Sequence, residues 1–288
     1  MRRLRLGLAQ IAPTLGDLEK NLALHERLVR EAEAEAVDLL VFPELSLTGY
    51  FLSDQVSAVA LRRDSAPLRA LGELSRRLSL VAGFVEETPD HRFHNSAAYF
   101  EDGTIRHLHR KVYLPTYGIF DEERDLAAGG AVRAFETALG RVAILICEDL
   151  WHPAVPALAA WDGAEILICP SSSPGRGTSD SAPFQNSATW ERMLRTYGDL
   201  FTCFVAYTNR VGFEDGACFW GGSELIDPSG RTLVKAPYLD AALVVADLEP
   251  GALRRARLTN PLLRDERLEF TLQELTRIIR ARADDPGR

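Results

Sequence analysis

Apolar and polar positions alternate near the start of the chain, so residues 4–9 predict a strand. Asp17 follows, and Leu18, Leu22, Leu28 and Val29 then recur at helical spacing. An aspartate ahead of such a pattern is a good N-cap, so a helix is expected to open at 17. Residues 38–42 form a short apolar strand that Pro43 stops, because proline has no amide to give a ladder. A helix over 67–78 and a strand over 80–85 come next. Residues 95–100 and 104–109 flank Glu101-Asp102-Gly103, a strong hairpin signal. Strands are expected over 142–146, over 166–169 (ending in Pro170-Ser-Ser-Ser-Pro174) and over 203–208, with helices over 156–161 and 189–200. Two further strand pairs follow, turning at Pro228-Ser-Gly230, and residues 268–282 pattern as an amphipathic helix.

Strands alternate with helices, yet hairpins also occur. That mixture predicts helices packed outside sheets of mixed strand direction. Gly175 to Ser181 is the only loose-looking stretch, and no low-complexity linker divides the chain. One domain over 1–288 is therefore expected, with 266–288 as its C-terminal helix and tail.

Composition narrows the function classes. The 288 residues are 46% hydrophobic and 26% charged, as in an ordinary soluble protein with a large core. A net charge of −8 with scattered Lys and Arg offers no footprint for nucleic acid or a membrane surface. The N-terminal apolar stretch is too short for a signal peptide, and no run reaches membrane-spanning length. The four cysteines, Cys147, Cys169, Cys203 and Cys218, lack CxxC spacing. Buried reduced thiols in a cytoplasmic protein fit them better than disulfides or zinc.

Three predicted strands run into a reactive residue: Glu44 after Pro43, Lys111 after Arg110, and Cys147 after Ile146. Ligands in sheet-and-helix folds bind outside the carboxyl ends of strands, so the three can converge on one cleft. Each has a plainer reading: a packed core thiol, a loop carboxylate, a solvated lysine. The two carboxylates after Cys147, Glu148 and Asp149, argue for a strand-to-helix bend there. The other three cysteines lack this setting. As a group the three residues make chemical sense. A carboxylate takes the thiol proton, and an ammonium favours the thiolate and holds an oxyanion. His152 is assigned to a helix start, so a Cys–His protease fits less well.

These motifs resemble the nitrilase superfamily of carbon–nitrogen hydrolases. The match rests on Phe42-Pro-Glu-Leu-Ser-Leu-Thr-Gly-Tyr50, His109-Arg-Lys-Val-Tyr-Leu-Pro115 and Ile144-Leu-Ile-Cys-Glu-Asp149, in the family's order. Residues 221–230 and 261–267 support it. The resemblance implies an α/β fold, a four-layer α-β-β-α sandwich with two mixed sheets. It also implies a homodimer or higher homo-oligomer, to which the tail helix and residues 264–267 would contribute. It implies a cysteine-dependent amidase: Glu44 as general base and acid, Lys111 with the Glu148 amide as oxyanion stabilisers, and Cys147 as nucleophile. Glu122 is its second glutamate, orienting Lys111 or the substrate. No metal or organic cofactor is implied.

Two segments, residues 111–122 and 147–151, look like the glutaminase half of glutamine-dependent NAD synthetases. That likeness implies substrate contacts from Tyr117, Glu148 and Ser173, although Glu148 reads equally well as a carboxylate near a helix start. Arg176 is a candidate for a substrate carboxylate, against the plainer reading of an exposed loop arginine. The expected substrate is a small amide, glutamine among the candidates. The alternatives are an N-carbamoyl amino acid, or a glutaminase subunit that feeds ammonia to a separate synthetase.

Overall fold

The computed structural model describes residues 1–177 and 184–284; the part of the loose stretch at 178–181 and the tail at 285–288 lie outside them. From the N-terminus run β1 (Leu4–Gln10), α1 (Leu18–Ala34), β2 (Leu39–Val41), α2 (Val56–Val59), α3 (Ala66–Leu74) and β3 (Ser79–Glu87). Then come β4 (Phe93–Glu101), β5 (Thr104–Arg110), β6 (Ala134–Thr137), β7 (Gly140–Ile144), α4 (Ala154–Trp161) and β8 (Ile166–Ser171). The next elements are α5 (Gln185–Leu200), β9 (Phe204–Asn209), β10 (Val211–Glu214), β11 (Ala217–Trp220), β12 (Glu224–Ile226) and β13 (Thr232–Lys235). The last are β14 (Ala242–Leu248), α6 (Pro250–Thr259), α7 (Leu262–Asp265) and α8 (Leu268–Asp284).

Two six-stranded sheets form, ordered β14-β1-β2-β3-β4-β5 and β13-β12-β9-β8-β7-β6. Each has a parallel centre and antiparallel flanks. Side-chain alternation stacks them. Leu39 and Val41 of β2 meet Val142, Ile144 and Ile168 of the second sheet in one core. Leu40 and Phe42 turn the other way, against Leu28 and Val29 of α1 and Leu68 and Leu71 of α3. On the outer face of the second sheet, Ala143, Leu167 and Val205 pack against Val155 and Ala159 of α4 and Trp190 and Leu194 of α5. The layers are thus helices, sheet, sheet, helices, as the resemblance implied.

Local chemistry explains the boundaries. Asp17 caps α1 by accepting from the Lys20 amide at 3.0 Å. The β4–β5 hairpin turns at Asp102 and Gly103, both at positive φ. The expected helix over 67–78 ends earlier, at Leu74, where the Ser75 hydroxyl donates to Gly72 O at 2.7 Å. Strand β8 continues past the predicted stop through Pro170 to Ser171. Pairing with β7 stops at Ile168, so Pro170 pairs only with β9. Among the described residues no helix is long and apolar enough to cross a membrane.

One buried histidine ties α1 to the loop after β2. His25 Nδ1 donates to Asn21 O at 2.7 Å, Nε2 lies 3.0 Å from Ser46 Oγ, and the ring stacks on Phe42. Burial pushes its pKa down from 6.5 to about 4, against a smaller upward pull from the Asn21 hydrogen bond. The folded chain therefore binds this proton less readily than the unfolded chain. The stabilisation is complete above pH 6.5 and is lost as pH falls toward 4, about 3 kcal/mol in all. His107, pushed down to about 4 mainly by burial, acts in the same sense. Urea unfolding at pH 7 and pH 4.5 is expected to show the loss, and His25→Gln to flatten the slope.

Candidate active site

Each predicted reactive residue sits just past the carboxyl end of its strand. Glu44 follows β2, Lys111 follows β5, and Cys147 follows β7. Strands β2 and β5 belong to one sheet and β7 to the other, so the site lies where the two sheets face each other.

The turn that carries Glu44 is tightly fitted. Leu45 adopts a positive φ of 48°, and a Cβ at Gly83 would sit 2.4 Å from Leu45 N. Only glycine at 83 lets β3 approach this loop. Lys111 is fully buried, and its ammonium donates to Glu44 Oε1 at 2.7 Å and to Glu122 Oε1 at 2.6 Å. Asn95 Nδ2 also donates to Glu44 Oε1 at 2.8 Å, and the Ser172 amide donates to Oε2 at 2.7 Å. Tyr50 OH donates to Glu122 Oε1 at 2.5 Å. Glu44 and its neighbours are therefore held from both sheets.

Cys147 opens a single 3₁₀ turn over Cys147–Trp151 and takes a positive φ of 45°. A non-glycine residue in that region is strained, and such strain collects at functional sites. This is the strand-to-helix bend predicted from sequence. The Ser171 hydroxyl donates to Sγ at 3.3 Å, and the next residue, Ser172, holds Glu44. Sulfur and carboxylate are thus bridged by two adjacent residues at the end of β8.

The charges set the resting protonation. Burial and then the Glu44 charge push the Cys147 thiol well up, with Lys111 opposing. Burial works to lower the Lys111 pKa, yet the Glu122 and Glu44 charges hold it well above its ordinary value. Burial raises Glu122 from 4.5 to about 7, with Lys111 pulling the other way. The arrangement is a neutral thiol beside a buried ammonium clamped between two carboxyl groups. It suits a proton transfer that waits for substrate.

Cys147 opens into a pocket of about 420 Å³ that also holds Tyr117, Glu148, Ser173 and Arg176. Tyr117 OH donates to both Glu148 carboxylate oxygens, at 3.0 and 3.2 Å. Burial raises the Glu148 carboxyl above its usual range. The Ser173 hydroxyl accepts from Trp190 Nε1 at 3.0 Å. Arg176 is exposed, but its guanidinium lies 5.1 Å from the centre of the Tyr117 ring, at the pocket. A larger cavity of about 740 Å³ shares the Phe120 wall and reaches Tyr50 and Glu122, without Cys147 in its lining. His152 stacks on Tyr113 with ring centroids 3.5 Å apart. Cys169 and Cys203 are buried, whereas Cys218 is only half-buried, short of the full burial expected.

Sequence reading missed several supports. Asn95, Tyr50 and Ser172 hold the carboxylates, yet each looks like an ordinary strand or loop residue in the sequence. Asp149 was seen only as a charge after Cys147. It is fully buried and accepts from the amides of Val112, Tyr113 and Ile146 at 2.9, 3.1 and 2.9 Å and from His109 Nε2 at 2.8 Å. It pins the segment after Lys111 to the Cys147 turn. The one available signal was its position three residues after Ile146, at the start of a helical turn.

The carbon–nitrogen hydrolase family model matches residues 5–258. The chain belongs to the carbon–nitrogen hydrolase family. By family it is a hydrolase of carbon–nitrogen bonds. The glutamine-dependent NAD(+) synthetase of Thermotoga maritima is 33% identical over 266 residues, covering 91% of this chain and 45% of that protein. The chain thus spans about half the length of such relatives. The chloroplastic omega-amidase of Arabidopsis thaliana is 26% identical over 287 residues, covering 93% of this chain and 73% of that protein. A crystal structure of a carbon-nitrogen hydrolase from Helicobacter pylori superposes with a TM-score of 0.83 at 26% identity, covering 95% of this chain and 99% of that one.

Proposed function

We propose that this carbon–nitrogen hydrolase cleaves the side-chain amide of glutamine through a thioester on Cys147, releasing ammonia. Glu44 takes the Sγ proton as sulfur attacks the amide carbon. Lys111 and the amide of Glu148, in the unpaired first turn after Cys147, hold the oxyanion. Glu44 passes its proton to the nitrogen, the C–N bond breaks, and ammonia leaves. Glu44 then deprotonates a water, which attacks the thioester; the acid departs and sulfur regains a proton. Glu122 keeps Lys111 aimed between the two carboxyl groups.

One observation carries the choice of glutamine: a carboxylate, Glu148, is held by Tyr117 in the pocket that contains Cys147. A buried carboxylate there suits an α-ammonium, which a simple aliphatic amide lacks. Ser173 would line the same subsite, and Arg176 at the pocket would meet an α-carboxylate. The synthetase relatives support this reading.

The test is ammonia release from glutamine, asparagine, an aliphatic amide and a carbamoyl amino acid. Glutamine is expected to be preferred. Glu148→Gln is expected to lower kcat/KM for glutamine by roughly 10–100-fold, the loss of about 1.5–3 kcal/mol from a charged hydrogen bond. It should leave the aliphatic amide almost unchanged. Equal losses on both substrates would reject the subsite. A second reading, a glutaminase that feeds ammonia to a synthetase, draws on the likeness to glutamine-dependent NAD(+) synthetases. Ammonia release that rises only when a stand-alone synthetase is added would favour it.

A further inference from the structure

The hairpin of β10 and β11 belongs to neither six-stranded sheet, and none of Glu44, Lys111 and Cys147 lies on it. Glu214 ends β10 and is 6% exposed. Its Oε1 accepts from the amides of Tyr50 and Phe51, both at 2.8 Å. Among the described residues, no backbone carbonyl accepts from either amide. Its Oε2 accepts from Arg210 Nη1 at 2.7 Å, and Arg210 is buried too. The Arg210 guanidinium lies 4.2 Å from the centre of the Phe219 ring on β11. That ring centre lies 6.1 Å from the Tyr50 ring and 6.0 Å from the Phe51 ring. The hairpin thus grips the loop after β2 by two amides and by two rings.

Stability alone does not call for this buried pair, because apolar side chains of similar volume often serve as well as a buried ion pair. The loop it grips does call for a hold. Residues 42–52 form neither helix nor strand, and Leu45 and Gly49 take positive φ values of 48° and 82°. A Cβ at Gly49 would lie 2.8 Å from Leu15 Cα and 3.1 Å from Glu214 Oε2, so the close approach needs glycine. The loop carries Glu44 near one end and Tyr50 near the other. Tyr50 OH donates at 2.5 Å to Glu122 Oε1, the oxygen that also accepts from Lys111 at 2.6 Å.

We infer that Glu214, braced by Arg210, is a positioning residue for the reaction: it holds the Tyr50 amide so that the Tyr50 hydroxyl fixes the Glu122 oxygen that aims Lys111. The inference rests on the role proposed above for Lys111. What the loop needs from Glu214 is reach, one oxygen placed on two successive amides, and not its charge. Tyr50 does not line the pocket that holds Cys147, so loosening it acts on turnover and spares substrate binding.

Steady-state ammonia release tests this, on whichever amide of the panel is turned over fastest. Tyr50→Phe is expected to lower kcat by roughly 10–100-fold, the loss of a hydrogen bond to a charged group, with KM unchanged. Glu214→Asp keeps the charge beside Arg210 but is one methylene short of the two amides. It is expected to lower kcat about tenfold, again with KM unchanged. Glu214→Gln loses the charge but keeps an oxygen at the amides, so kcat is expected to recover to within about threefold of wild type, at a lower thermal midpoint. The Glu214→Asp, Tyr50→Phe double variant is expected to match the kcat of Tyr50→Phe alone, since both act through one hydroxyl. A purely structural ion pair gives the reverse order, with glutamine more damaged than aspartate, and would overturn the inference. Losses that multiply in the double variant would overturn it too. Should Glu214→Asp not fold, Glu214→Gln still decides: retained kcat supports the hold, and a loss of about tenfold or more rejects it. An unchanged kcat in Tyr50→Phe would reject the Glu122–Lys111 reading underneath, whereas a loss in Tyr50→Phe with none in Glu214→Asp would reject only the role of Glu214.

Discussion

Replacing Lys111 with methionine is expected to lower kcat/KM at least about a thousandfold and to destabilise the fold by about 3–5 kcal/mol. The ammonium sits 2.7 Å from Glu44 and 2.6 Å from Glu122, with no solvent to replace it. Removing one member of such a buried pair leaves uncompensated charge, which accounts for the stability loss. Loss of one oxyanion donor alone costs about 10²–10³ in rate, and a misplaced Glu44 adds to it. The sign with pH is also fixed. Without the ammonium, the two facing carboxyl groups have raised pKa values in the folded state, and protonation relieves their repulsion. The destabilisation is therefore smaller at pH 5 than at pH 8. Urea unfolding at both pH values, with ammonia release alongside, checks it. A variant equally destabilised at both would show that charge is not the cause.

Asp149→Ala is expected to cost about 3–5 kcal/mol and to remove most activity, although Asp149 need never touch substrate. Its carboxylate gathers three backbone amides and the His109 ring with no exposed surface. Truncation leaves those donors buried and unpaired. It also frees the segment after Lys111 from the turn that starts at Cys147, so Lys111 and Cys147 lose their register. Asp149→Asn keeps the shape but can accept on only one atom, so it should fall between wild type and alanine. Thermal unfolding and kcat together check this. Loss of activity at full stability would point to a direct chemical role instead.

The layered fold was readable because its strands are short, apolar and bounded by strong punctuation. Asp17, Pro43 and Asp102-Gly103 each act through local backbone chemistry, which sequence carries. Strand β6 was not foreseen, since its four residues alternate too briefly to stand out from a loop. Helix α3 was drawn too long because Leu78 continues the apolar pattern, while Ser75 ends the helix with a hydrogen bond that periodicity does not record. The positions of Glu44, Lys111 and Cys147 at strand ends were legible for the same local reason. Their supports were not. Asn95 reaches Glu44 across 51 positions and Ser172 across 128, and such contacts exist only once the sheets stack.

Peptide mapping by mass spectrometry, on protein acid-quenched during turnover of glutamine, probes the proposed chemistry most directly. The account predicts an acyl adduct on the peptide containing Cys147, released by hydroxylamine and absent from the Cys147→Ala protein, which should also release no ammonia above background. An adduct on a different residue, or a Cys147→Ala protein that turns over at the wild-type rate, would contradict it.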